Sequence, residues 1–352
     1  MFKKQYPKTI HVAFSPYTYV RVMVMKSMLY TKQDYDKLLK MQGSEIAAYL
    51  ENSDYKEDVL ALGKEYTGYT LVERALYANI IRSFQKLQKI SSPDMNYLIR
   101  AYLLRYDVYN LKTILRGKAV GQSTAEIDPL LLPFGVLTKE KLHVFLAQDS
   151  LAGVLKKAGF SAASFHDALT FYEKEKSLLA LENYLDQEYY HFLFTFFRHL
   201  SGEHQLFKEF FQAELDALNI KLLLRVKKTG QQLHNSLFFS GGSCFSVAKL
   251  RTLASQDFAH IIKYLQTTSF KPLVATHLRD LEEQNLNVFE IGLDLWLLKK
   301  STLLLHQFPL SVDTLLGYMF AKEIEMRNLR VLVKGKQLGL TEEFLAAQLI
   351  VS

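Results

Sequence analysis

The strongest constraint on this chain is a pattern that it spells three times. Residues 92–121 read SPDMNYLIRAYLLRYDVYNLKTILRGKAVG, residues 201–230 read SGEHQLFKEFFQAELDALNIKLLLRVKKTG, and residues 311–339 read SVDTLLGYMFAKEIEMRNLRVLVKGKQLG. An acid, an Asn and three cations keep one spacing throughout. They are Asp107, Asn110, Lys112, Arg116 and Lys118; Asp216, Asn219, Lys221, Arg225 and Lys227; and Glu325, Asn328, Arg330, Lys334 and Lys336. The acids lie 109 residues apart. Solenoid repeats have periods of roughly 20–50 residues, so each copy here is of domain size.

Each copy is punctuated as a helix. Ser92 precedes Pro93 and Asp94, which reads as an N-cap, a proline at the first helical position and an acid on the positive end of the dipole. Ser201 and Ser311 occupy the same place. In the first copy Leu98, Ala101, Tyr102, Leu104, Val108, Leu111, Ile114 and Leu115 recur at helical spacing. Gly117 and Gly121, Gly230, and Gly335 with Gly339 are expected to end the three helices. The Asp-x-x-Asn element is expected to hold a hydrogen bond or charge pair to a neighbouring helix. Cations in the last turns suit the macrodipole, a bland role that leaves their threefold spacing unexplained.

An opening helix precedes each of these signature helices, marked by Val72-Glu73, Leu181-Glu182 and Phe289-Glu290. A tail of two short helices follows the first two, starting at Thr138 and Ser246 and ending at Phe160 and Phe270. The loops at Pro133-Phe134-Gly135 and Gly241-Gly242 join signature helix to tail. The third copy stops before its tail, and the missing piece resembles residues 30–55, which start at Thr31 and end at Tyr55. The reading is an all-α chain of three similar helical domains in a pseudo-threefold ring or funnel. Residues 1–61 with 286–352 form one domain, and residues 62–170 and 171–285 form the other two, both termini meeting in the first.

Composition and motifs narrow the function. With 49% apolar residues, 16 glycines and 7 prolines, the chain is built for packed helices. The net charge of +7 is spread along the sequence rather than gathered in tails, which points to an acidic partner or a membrane-proximal position and away from nucleic acid. No charge-free apolar run reaches the roughly 18–20 residues of a bilayer span, and the N-terminus has no apolar signal core, so a soluble intracellular protein is expected. The single Cys244 excludes an internal disulfide and reads as an idle thiol. No phosphate-binding loop, dinucleotide fingerprint or H-E-x-x-H occurs; His191 and His199 read as packed or surface residues, and one acid per copy is too few for paired-carboxylate chemistry. No catalytic centre, cofactor or metal is expected. Lys112 and Arg116, four apart, form one stripe on their helix, and three such stripes would make a positively charged socket. The candidate partner-binding residues are therefore Lys112, Arg116, Lys118, Lys221, Arg225, Lys227, Arg330, Lys334 and Lys336.

The stretch YDVYNLKTILRGK at residues 106–118, together with YVRVMVMKSMLYTKQDYDKLL near the N-terminus and the threefold repeat, resembles the C subunit of the V/A-type ATPases, the relative of the eukaryotic d subunit. The resemblance covers essentially the whole chain. Departures fall at Val226, which stands where the first copy has Gly117, and at Glu325 and Arg330. The resemblance implies a non-catalytic central-stalk subunit, peripheral on the cytoplasmic face of the membrane. Its expected partners are the proteolipid (c/K-type) ring below and the central axle subunits of D and F type above, whose tip it would receive as a socket. A generic helical-repeat scaffold that binds a protein in a concave surface remains the alternative.

Overall fold

The computed structural model describes residues 7–13, 15–133, 135–202, 205–230, 237–307 and 312–351. The chain is all-helical apart from two strands of three residues each, and it divides into two compact units.

One unit holds Met1–Val12, Pro93–Gly202 and Gln231–Gly241. Its centre is the first signature helix, Pro93–Ala119, which begins at the proline as the cap signal requires. Leu98, Ile99, Tyr102, Leu103, Leu104 and Leu111 are all buried, so this helix is covered on every side and not along one stripe. A helix that is apolar all round belongs inside a core. Against it pack the second opening helix, Leu179–Phe197, and the tail helices Lys139–Leu146 and Leu151–Lys157. The tail helices start where short polar side chains satisfy free backbone donors: Thr138 accepts from the Lys141 N–H and Ser150 from the Gly153 N–H. Strand β1 (Ile10–Val12) pairs in parallel with strand β2 (Leu200–Gly202), Ile10 opposite Leu200. Gly202, at φ +97°, brings its backbone close to Val12, where a Cβ would stand 2.7 Å from the carbonyl oxygen.

The other unit holds Ala13–Ser92, Glu203–Gly230 and Gly242–Ser352. It contains the second and third signature helices, Gln205–Thr229 and Asp313–Gln337, with the first and third opening helices, Gly68–Ile90 and Leu286–Gln307. The N-terminal helices Pro16–Ser27 and Gly43–Leu50 pack on the third signature helix. Lys32–Leu38 is started by a capping box in which Thr31 and Asp34 satisfy each other's backbone donors.

Three expectations need correction. Ser201 does not cap a helix: it lies in strand β2, and the second signature helix starts at Gln205. Gly117 and Gly335 lie inside their helices; Gly121, Gly230 and Gly339 take the left-handed conformation at the ends, with φ of +74°, +65° and +70°. The interior glycines serve close packing instead. A Cβ at Gly117 would stand 2.5 Å from the Ile127 side chain, and one at Gly335 2.1 Å from Leu345. Third, the Asp-x-x-Asn element bonds to loop backbone rather than to a neighbouring helix. Ser311 and Phe134 lie outside the described residues. Among the described residues, no helix is long and apolar enough to cross a membrane.

Candidate functional site

The cations of the signature helices have carboxylate partners that recur with them. Lys112 Nζ stands 2.5 Å from Asp186 Oδ2, and the Arg116 guanidinium grips Glu182 through Nε and Nη2 at 2.6 and 2.7 Å. In the second copy Lys221 Nζ is 2.6 Å from Asp294 Oδ1, and Arg225 holds Glu290 through the same two nitrogens at 2.6 and 2.5 Å. In the third, Lys334 Nζ is 2.7 Å from Glu73 Oε2, and the Arg330 guanidinium sits 5.2 Å from the centre of the Tyr77 ring. Each cation pair is four residues apart, as are Glu182 and Asp186, Glu290 and Asp294, and Glu73 and Tyr77. The earlier cation meets the later partner, so the helices run antiparallel. In every case the signature helix is tied to the opening helix of the next copy, and the third copy is tied to the first.

Two of the remaining cations cap helix ends. Lys118 Nζ donates to the Leu146 carbonyl at 2.7 Å, and Lys336 Nζ to that of Leu39 at 2.5 Å, both at the C-terminal ends of short helices where carbonyls lack helical partners. Lys227 is half-buried near the end of its helix. The Arg116, Arg225 and Lys334 side chains keep about half of their surface in solvent, 56%, 61% and 49%, against 17% for Lys112 and Lys221. The bidentate contact to Glu182 holds the Arg116 guanidinium above its ordinary pKa, and Glu290 does the same for Arg225.

The acid and Asn of each copy form a second recurring structure, a latch that fastens the tail. Asp107, fully buried, accepts from the N–H groups of Val136 and Leu137 at 2.8 and 3.0 Å. Asp216 accepts from those of Ser243 and Cys244 at 2.8 and 2.9 Å, so Cys244 acts here through its backbone. The loop glycines make room for this approach: a Cβ on Gly135 would stand 2.0 Å from Asp107 Oδ1, and one on Gly242 2.1 Å from Asp216 Oδ1. Asn110 exchanges two hydrogen bonds with the Leu132 backbone, both 2.7 Å, and Asn328 does the same with Ile350 at 2.7 and 2.9 Å.

In the third copy the latch closes on the N-terminal segment. Glu325 accepts from the Tyr30 N–H at 2.6 Å and from the Tyr55 hydroxyl at 2.7 Å. The buried Lys322 ammonium lies 2.7 Å from Glu325 Oε1 and 4.4 Å from the centre of the Tyr55 ring. Burial, reinforced by the Glu325 charge, pushes the Tyr30 and Tyr55 phenols well above their ordinary range, which keeps both hydroxyls protonated. The resemblance of residues 30–55 to a tail thus marks residues that do a tail's work. Helix spacing does not single out the opening-helix carboxylates as partners. The signal that could have found them is position, since Glu73, Glu182 and Glu290 stand in the motif that marks those helices.

These features define a class: a helical protein of thrice-repeated sequence, internally cross-linked by ion pairs and carboxylate latches. The chain belongs to the ATP synthase (C/AC39) subunit family, whose model matches residues 18–348. It is 33% identical to the C subunit of the A-type ATP synthase of Methanosarcina acetivorans over 95% of this chain and 92% of that one. With the protein of the same name from Methanococcoides burtonii the identity is 32%, over 96% and 95%. With that of Haloferax volcanii it is 30%, over 95% and 97%.

Proposed function

We propose that this chain is the non-catalytic coupling subunit of an A/V-type rotary ATPase, seated peripherally on the cytoplasmic face of the membrane between the central axle and the proteolipid ring. It carries torque between the two during ion-driven ATP synthesis or ATP-driven ion transport. The observation that supports this reading is the recurring set of ties, signature helix to next opening helix, with Lys334–Glu73 joining the third copy to the first. A part that transmits torque needs stiffness, and packed helices joined at every border supply it. On this reading the borders of three similar domains fall at 61/62, 170/171 and 285/286, each bridged by at least one ion pair. The Glu325 bonds to Tyr30 and Tyr55 speak against a scaffold whose last repeat carries its own cap, because they give the third copy its tail from the N-terminus.

The candidate cations then divide by exposure. Lys112, Lys221, Lys118 and Lys336 hold helices in place, and Arg330 with Lys227 flanks them. Arg116, Arg225 and Lys334 keep donors free of their carboxylates and face acidic groups of the axle or ring. Tyr17, Val20 and Val24 line one side of the N-terminal helix, and Met28 follows at its end; all four are 46–61% exposed, an apolar strip suited to contact with a neighbouring subunit. Affinity purification of the tagged chain from solubilised membranes of its own host tests the reading. Recovery of a proteolipid with head and axle subunits is expected; a preparation free of ATPase subunits, under conditions where the complex survives, contradicts it.

A further inference from the structure

Cations run along the whole chain, but its excess of positive charge does not. Residues 1–33 hold six cations, Lys3, Lys4, Lys8, Arg21, Lys26 and Lys32, and no Asp or Glu; from Asp34 onward 37 cations meet 36 acids. Six of the seven net positive charges therefore belong to less than a tenth of the chain. Lys3 and Lys4 lie outside the described residues.

Within this stretch lies the helix Pro16–Ser27, which packs on the third signature helix and the first opening helix and buries Thr18, Val22 and Met25. Its other face stays in solvent. Tyr17, Val20, Val24 and Met28, all exposed, follow one another at intervals of three, four and four residues, so they form one stripe about 16 Å long. Arg21, also exposed, stands one turn from both Tyr17 and Val24, and the exposed Lys32 follows just past the stripe. At the other end the Thr18 hydroxyl donates to the Ile90 carbonyl at 2.8 Å, which sets the last turn of the first opening helix, with its exposed Lys89, beside the start of the stripe. Glu73, the one acid of that opening helix, is about four turns away from Lys89.

Apolarity alone suits any neighbouring subunit; the single sign of the surrounding charge narrows the occupant. A folded protein surface intersperses acids and bases. A bilayer rich in anionic lipid is a plane of one sign, with hydrocarbon beneath it for an apolar stripe. We infer that this face is an interfacial membrane contact: the stripe lies in the headgroup layer of an anionic phospholipid bilayer, its apolar side chains toward the acyl chains and Arg21, Lys32 and Lys89 on lipid phosphates. The inference rests on the peripheral seat proposed above and adds that the chain touches lipid itself, through a defined face. The two fail separately, because affinity purification can recover ATPase subunits with a chain that ignores lipid.

The test is co-flotation of the purified full-length protein with vesicles of phosphatidylcholine containing about one-third phosphatidylglycerol, against vesicles of phosphatidylcholine alone. The expected result is binding to the anionic vesicles at least tenfold tighter, weakening as salt is raised. Val20→Ser with Val24→Ser, and separately Arg21→Gln with Lys32→Gln and Lys89→Gln, are each expected to weaken it at least tenfold without lowering Tm, since all five side chains are exposed. Lys156→Gln with Lys263→Gln and Lys271→Gln removes the same charge from exposed sites elsewhere and should leave binding nearly unchanged. Equal binding to both kinds of vesicle, unchanged binding of the valine variant, or an equal loss in the distant lysine variant overturns the proposal. So does an absence of flotation; if ATPase subunits still co-purify, the stripe then belongs to a protein neighbour and the coupling role stands.

Discussion

The latches of the first and third copies do one job with different parts. Asp107 is short, so the loop must come to it, and Gly135 has no side chain because the carboxylate occupies that space. Glu325 is one methylene longer and reaches out to Tyr30, whose neighbours Leu29 and Met28 are both large. The first latch holds a loop about 30 residues along the chain; the third holds a segment 295 residues away. The longer acid thus dispenses with the glycine, and it gains a buried cation, Lys322, and a phenol, Tyr55, to satisfy its remaining capacity. The function of the position is preserved by changing acid and loop together. This explains why Glu325 departs from the other two copies.

The comparison breaks most visibly at its most buried member. Glu325→Ala leaves the Lys322 ammonium without its partner in the core and is expected to destabilise the protein by about 4 kcal/mol, read from urea unfolding. Adding Lys322→Met should recover a large part of that loss, because the unpaired charge is gone; no recovery would mean that the tyrosine contacts dominate. Asn110→Ala and Asn328→Ala each strand a buried N–H and a buried carbonyl, for an expected loss of about 3 kcal/mol each. A marked inequality between them would show that the two latches are not equivalent.

Gly135→Ala sharpens the contrast further. Its Cβ would collide with Asp107, so a loss of about 2 kcal/mol is expected. The matching change Met28→Ala, two residues before Tyr30 as Gly135 is two before Leu137, should stay within about 0.5 kcal/mol. Among the substitutions that remove a partnered side chain, the smallest effect belongs to the exposed ties. Arg116→Gln and Arg225→Gln are each expected to cost about 1 kcal/mol or less at low salt, and less still at 1 M salt, because more than half of each side chain's surface is in water.

Much of this was legible in the sequence for physical reasons. Domain-sized repetition, the all-helical class and the tail-like character of residues 30–55 all follow from spacing and cap residues, which are local signals. The resemblance to the subunit family rests on residues 106–118, the N-terminal stretch and the threefold repeat, and the family model matches residues 18–348. What escapes is non-local. A strand of three residues such as Ile10–Val12 has no periodicity to read and exists through its pairing with Leu200–Gly202. Gly117 reads as a helix end because a glycine that allows close packing and one that allows positive φ are the same letter. The partners of Lys112 and Arg116 lie 74 and 66 residues onward, and no helix-spacing rule links positions that far apart.

The most direct test of the coupling role is to measure ion transport and ATP hydrolysis together in vesicles carrying the complete complex, before and after this chain is removed and then restored. If the chain joins axle to ring, removal leaves hydrolysis by the head in place, abolishes ATP-driven ion accumulation, and restoration brings accumulation back. Ion accumulation that continues undiminished without the chain would contradict the account.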